Sequence, residues 1–381
     1  MNQYTEDYEQ EKKWVEAFEN EDITDDEIIA LIHVLADSGQ KFSFDKEVYD
    51  FASTGGPSSL STILVPLYLF ACGVNVINIA VSGRPAGAID VLSQIENYHI
   101  HGYDRTKMDD KQFYLHLEAD SNFAPLDRKL FEYRRMVNKV NNPRLAIASL
   151  LSKKIASGAS NIGLDVRAAP FGNFGNSWDE CRNNARRYNR IAERLGLVSK
   201  CFLCDASMPF QPYIGRGEAL VAIHRIMNDE DDKSLLEHNN YCMDIARVMT
   251  ENKGNSLKNQ IKDVFIENLH YQGSSYKLFE EAVARIKEQP YYTYTALESG
   301  YIRYDLSAIR SYLVYRQSVD DSSNRYPDPS GIILLCQQND YVQKGQPVFC
   351  VRNSEKQIED KYVFYMIQSN ECERKHESEV I

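Results

Sequence analysis

No stretch of this 381-residue chain approaches the ~18 consecutive apolar residues of a membrane span. The first twenty residues are acidic and polar, without the apolar core of a secretory leader. Positive charge is in deficit: 43 Lys and Arg face 55 Asp and Glu, a net charge of -12. The broad basic surface that nucleic acids or anionic membranes require is therefore missing, and small-molecule or protein partners are expected instead. Internal repeats and low-complexity segments are absent as well. The eight cysteines include a single CxxC, Cys201 to Cys204, with no second pair to complete a zinc site. Scattered thiols without an export signal predict a reduced, cytoplasmic protein, and the strand-like surroundings of this pair predict structural cysteines.

A further absence is more local. Asp50-Phe51-Ala52-Ser53-Thr54-Gly55-Gly56 reads as a loop built to hold an anion, yet the two positions before Ser53 carry no cation. Adjacent glycines let the backbone approach a ligand closely. The hydroxyls of Ser53, Thr54, Ser58, Ser59, Ser61 and Thr62 supply donors, and a helix starting near Ser59 would aim free N–H groups the same way.

What is present is ordinary globular composition, 43% hydrophobic and 26% charged, in a chain long enough for two or three compact units. Apolar spacing predicts helices over residues 9–19 and 25–37, the second opened by the cap-like Thr24-Asp25-Asp26-Glu27. Further helices are predicted over 63–72, 88–95, 128–140, 143–156 and 177–195, with strands over 74–81, 159–165 and 200–204. This alternation indicates an α/β sheet. A helical block follows over 218–227, 233–251 and 256–286. From Tyr291 short strands separated by turn residues predict a small α+β unit, and the polar tail 371–381 reads as loose.

Several collinear segments together resemble a known family. Ser53-Thr54-Gly55-Gly56, Ala71-Cys72-Gly73, Ser82-Gly83-Arg84, Arg134, Ala148 to Lys154, Leu164-Asp165-Val166, Gln211-Pro212 and Gly217-Glu218-Ala219 resemble thymidine phosphorylase and its pyrimidine-nucleoside and AMP phosphorylase relatives, in order and spacing. The resemblance implies a small all-α domain plus a large mixed α/β-sheet domain with a C-terminal α+β subdomain. On this chain those units would be 1–40 with 126–158, 41–125 with 159–288, and 289–381. It also implies a pyrimidine nucleoside or nucleotide in the cleft between the first two, no cofactor beyond phosphate as a co-substrate, and a homodimer. The chain reaches Ser53 after two helices, fewer than the family places ahead of the motif.

Carried over residue by residue, the resemblance puts Arg134, Ser149 and Lys153 on the base, with Arg134 and Lys153 as the catalytic cations. Ser149 and Lys153 stand four apart, so one helical face presents both. Ser53, Gly55, Gly56, Thr62, Ser82 and Arg84 fall around the phosphate or other acceptor. The family's Lys-His before Ser-Thr-Gly-Gly is replaced here by Phe51-Ala52, Ala88 stands where a phosphate-binding Thr is expected, and Glu218 takes the place of an Asn. The activity implied is a pentosyltransferase with an altered phosphate site. Three alternatives stay open: a catalytically silent nucleoside-binding or protein-interaction module, a nucleosidase or glycosyl transferase using another acceptor, and a phosphoribosyltransferase of the anthranilate type, which needs acidic residues to hold magnesium where the neighbourhood of Gly55-Gly56 supplies only Asp50 and, distantly, Asp90. His99 and His101, between Tyr98 and Tyr103, are acid/base candidates that read more simply as structural or surface histidines.

Overall fold

The computed structural model describes residues 8–100, 112–120, 122–170, 172–251, 261–319, 326–353, 364–370 and 377–381. His101 and Tyr103 lie outside them. Two helices open the chain, α1 (Glu9–Ala17) and α2 (Asp25–Ala36). The second starts at a capping box in which Thr24 and Glu27 satisfy each other's backbone amides.

A six-stranded sheet follows, built from β1 (Val48–Ser53), β2 (Asn75–Ala80), β3 (Tyr114–Glu118), β4 (Asn161–Ala168), β5 (Val198–Asp205) and, at its edge, β13 (Ser378–Val380). The order is β13-β5-β4-β1-β2-β3, with every pair parallel except β13 with β5. Parallel strands need crossovers. Helices α3 (Ser61–Ala71) and α4 (Ala88–Leu92) stand between the first three strands, α5 (Pro125–Met136) and α6 (Pro143–Ala156) between β3 and β4, and α7 (Trp178–Arg194) between β4 and β5.

Strand alternation divides the core. Tyr49 and Phe51 point with Val76 and Phe202 into an apolar cluster shared with α3, α4 and the later helices α8 (Arg216–Met227), α9 (Lys233–Met249), α10 (Ile261–Tyr271) and α11 (Tyr276–Lys287). Ile162, Leu164 and Val166 point to the opposite face, where α1, α2, α6 and α7 cover them. The N-terminal helices are thus packed onto the sheet through α6.

The last part carries β7 (Tyr291–Thr295), β8 (Gly300–Tyr304), α12 (Leu306–Val319), β9 (Ser330–Leu334), β10 (Tyr341–Val342), β11 (Pro347–Asn353) and β12 (Tyr365–Gln368). The stretch before α8 lends a further short strand, β6 (Tyr213–Ile214), and the strands form one sheet β6-β9-β11-β7 and another β10-β8-β12. Their own apolar cluster gathers Ile302, Ile309, Leu313, Ile332 and Val351.

The fold departs from the sequence reading in several places. Asp50 to Ser53 is the end of a strand rather than loop, its apolar pattern interrupted by an aspartate that a buried lysine neutralises. The expected helix 256–286 is, within the described residues, two helices separated at Gly273, whose φ of 86° ends α10 before Ser275 caps α11. The end of the tail is not loose: Ser378–Val380 pairs with β5, Glu379 takes both Arg182 nitrogens at 2.9 and 2.7 Å, and the Ile381 carbonyl accepts from Cys201. Strand β3 and helix α12 were not anticipated at all.

Cys201 and Cys204 are both buried in β5, and three residues of strand place them on opposite faces. Burial pushes both thiols up. These are structural cysteines, as their setting suggested. Among the described residues no helix is long and apolar enough to cross a membrane.

Candidate active site

Chain order in the sheet reverses between β1 and β4: β1, β2 and β3 run to one edge, β4 and β5 to the other. A crevice opens outside the carboxyl ends of the strands at such a switch point. Here it is the pocket bounded by the Ser53–Gly56 turn after β1, the Val81–Gly87 turn after β2, α6, and the residues that follow β4.

The glycine turn has its carbonyls held from below. Arg167, 2% exposed at the end of β4, donates through Nη1 to the Gly55 carbonyl at 2.7 Å. Its Nε and Nη2 reach Asp165 Oδ2 at 3.0 and 2.8 Å, and Nη2 also reaches Ser61 Oγ at 2.8 Å. Thr54 Oγ1 accepts the Arg167 amide at 2.9 Å. Gly55 and Gly56 adopt φ of 109° and 130°, a region that L side chains avoid. Among the described residues their amides have no acceptor. A turn with carbonyls engaged and amides unengaged suits an oxyanion.

The motif's missing cation is accounted for in the core. Phe51 lines the pocket from its floor: it is fully buried and its ring lies 6.5 Å from that of Phe202. Ala52 faces the other side. Asp50 on that side pairs with Lys154 at 2.7 Å, both buried. Burial pushes the Asp50 carboxyl up to about 6, against the pull of Lys154. An unfolded aspartate titrates near ~3.9, so between these values the folded chain holds a proton the unfolded chain lacks. Stability from this group therefore increases as pH falls from about 6 toward about 4. In thermal melts the wild type should gain on Asp50→Asn over that window, and a constant difference between the two would refute it.

The helix pair supplies the other wall. Lys153 Nζ donates to Asp127 Oδ2 at 2.6 Å, to Ser149 Oγ at 2.9 Å and to the Ser149 carbonyl. Burial lowers the Lys153 pKa while Asp127 raises it. Arg134, 2% exposed, donates through Nη2 to the Val140 carbonyl at 2.6 Å and through Nε to the Lys139 carbonyl at 3.3 Å; burial pushes it down to about 10. Arg84 lies with its guanidinium 4.5 Å from the Phe131 ring centre. Asp90 holds the turn that carries it, accepting from the amides of Gly83 at 2.8 Å and Arg84 at 3.0 Å and from Arg216 at 3.0 Å. With its oxygens so engaged, Asp90 fixes the turn.

The structure thus gathers Ser53, Gly55, Gly56, Thr62, Arg84, Arg134, Ser149 and Lys153 around one pocket. Ser82 is not among its lining residues; it donates to Glu118 at the end of β3. His99 is exposed and away from the pocket. Glu218 is fully buried against Arg352 and Tyr291, so its place is in the joint to the C-terminal unit. Sequence reasoning missed Arg167, one residue past the quoted Leu164-Asp165-Val166, and Asp127, in the first turn of α5. It also missed Asn173, whose Oδ1 is buried without a partner among the described residues, and Arg310 of α12. Nothing in the local sequence of Arg310 signals the site.

No protein-family model matches the chain. Its similarity to known proteins is nonetheless long. The pyrimidine-nucleoside phosphorylase of Staphylococcus haemolyticus is 24% identical over 364 residues, and that of Staphylococcus epidermidis 25% over 367 residues; each comparison covers 89% of this chain and 83% of the relative. Among solved structures, anthranilate phosphoribosyltransferase from Thermus thermophilus aligns over 74% of this chain and 96% of that one, at 14% identity and a TM-score of 0.46. The architecture is that of a mixed α/β protein with a pocket at a switch point. Within that class, the chain is a divergent relative of the pyrimidine-nucleoside phosphorylases.

Proposed function

We propose that this chain is a pentosyltransferase that cleaves the glycosidic bond of a pyrimidine nucleoside or nucleotide, with Arg134, Ser149 and Lys153 on the base and the glycine turn toward the acceptor. The observation that carries this reading is that the cationic face of α5 and α6 and the unengaged amides of Gly55 and Gly56 border the same pocket.

In such a reaction the bond between C1′ and the base nitrogen breaks and its electron pair stays with the ring. Negative charge grows on the ring nitrogen and carbonyl oxygens, where Lys153 and Arg134 stabilise it more than they stabilise the neutral substrate. The sugar gains oxocarbenium character, and a phosphate oxygen closes the new C1′–O bond from the opposite face. The leaving base then takes up a proton. Asp127 acts here as a positioning residue, holding the Lys153 ammonium over Ser149.

Sequestration of Phe51 in the core favours a second reading, in which base recognition survives without efficient phosphorolysis. Chromatography of thymidine, uridine, deoxyuridine and CMP incubated with the protein, with and without phosphate, separates the two. Phosphate-dependent appearance of free base and sugar phosphate is the expected result. Base release without phosphate would assign another acceptor, and binding without release would assign the silent module.

A further inference from the structure

Four of the buried or half-buried cations in and beside this pocket each have an acid. Lys153 pairs with Asp127, Lys154 with Asp50, Arg167 with Asp165 and Arg216 with Asp90, at 2.6 to 3.0 Å. Arg84, Arg134 and Arg310 do not: among the described residues none of them has a carboxylate within ion-pair distance, yet all three line the pocket. Arg134 uses nearby carbonyls. Arg84 and Arg310 make no side-chain hydrogen bond to the described residues.

The two come from separate parts of the fold, the turn before α4 and the helix α12 of the C-terminal unit. They are close enough for Arg310, after burial, to be the chief charge pushing Arg84 down to about 10. Arg135 lies against Gly83 of the same turn and adds to the repulsion. Unpaired like charges held together out of bulk water are costly, and a bound anion relieves that cost. The ring of Phe131 covers one face of the Arg84 guanidinium, which leaves its N–H edge for a planar or tetrahedral oxyanion.

We propose that Arg84 and Arg310 together hold a phosphate-type oxyanion, so that the C-terminal unit contributes a specificity-determining residue to the pocket. The group is either inorganic phosphate or the phosphate of a pyrimidine nucleotide, a role that rests on the transferase reading above. Arg310 takes up the task for which the sequence before Ser53 lacks a lysine, from the other side of the pocket.

Titration calorimetry on the full chain tests this with inorganic phosphate, UMP, uridine and uracil as separate probes. Loss of charge-assisted hydrogen bonds predicts a roughly 10- to 100-fold weaker affinity in Arg310→Ala, with uracil affinity unchanged and Arg310→Lys recovering part of the loss. Weakening toward inorganic phosphate identifies a co-substrate site; weakening confined to UMP identifies the nucleotide's phosphate. Arg310→Gln, which keeps the stem, replaces the alanine variant should that one fail to fold. Affinities for phosphate and UMP both within about twofold of wild type would overturn the proposal, as would a wild-type protein that binds neither. Absence of uracil and uridine binding with phosphate binding intact would overturn the transferase reading and leave the anion site standing.

Discussion

Lys153→Met is expected to lower kcat/KM for base release by about 10²- to 10³-fold, the loss that follows removal of one preorganised donor from developing negative charge. The substitution also strands Asp127, which is fully buried and bonded to this ammonium. Removing one partner of a buried pair costs roughly 3 to 5 kcal/mol, so stability should fall together with activity. The double variant Asp127→Asn with Lys153→Met separates the two effects. A neutral carboxamide no longer needs the cation, so the melting temperature should recover while turnover stays low. Recovery of turnover along with stability, or a single variant within about tenfold of wild type in kcat/KM, would remove Lys153 from the reaction.

This half of the site was legible because its residues are neighbours along the chain. Ser149 and Lys153 lie on one helical face, which their spacing showed, and Arg134, near the end of the preceding helix, was joined to them by the family resemblance. The glycine turn was legible for the same local reason. What was hidden depends on tertiary contacts. Asp50 breaks the apolar pattern of β1 and reads as loop until Lys154, on a helix far along the chain, is seen to neutralise it. Arg167 looks like one more polar strand residue, although it organises the turn by taking the Gly55 carbonyl. Arg310 sits in a helix that the sequence did not disclose, in a unit whose strands were read as a separate cap.

Glu218 shows the same limit from the other direction. It takes the place of an Asn in the collinear motif, yet its side chain is buried in a joint away from the pocket. There it accepts from Arg352 Nε at 2.8 Å and from the Tyr291 hydroxyl at 2.8 and 2.9 Å. Asp328 takes the other side of the same guanidinium and the amide of Gly217. Two glycines allow this approach: a Cβ at Gly331 would strike Glu218, and one at Gly217 would strike Arg352 and Asp328. The joint ties α8 to β7, β11 and the stretch before β9.

Arg352→Met should therefore destabilise the chain by roughly 3 to 5 kcal/mol, because Glu218 and Asp328 are left buried without their shared cation. Arg352→Lys should recover little, since a point charge cannot serve two carboxylates through a planar fork. Burial raises the Glu218 pKa and Arg352 opposes that rise, so removing Arg352 should let Glu218 take up a proton at higher pH. The loss in Arg352→Met should accordingly shrink as pH falls, which urea titrations at about pH 7.5 and about pH 5 will read directly. The joint also bears on the pocket. Arg216, at the start of the same helix α8, donates to the Arg84 carbonyl and to Asp90, while α12 carries Arg310 from the unit that Arg352 anchors. Loosening the joint should therefore weaken phosphate binding together with stability, whereas Arg310→Ala should weaken binding alone. Unchanged phosphate affinity in a destabilised Arg352→Met would show that the anion site is held without the joint.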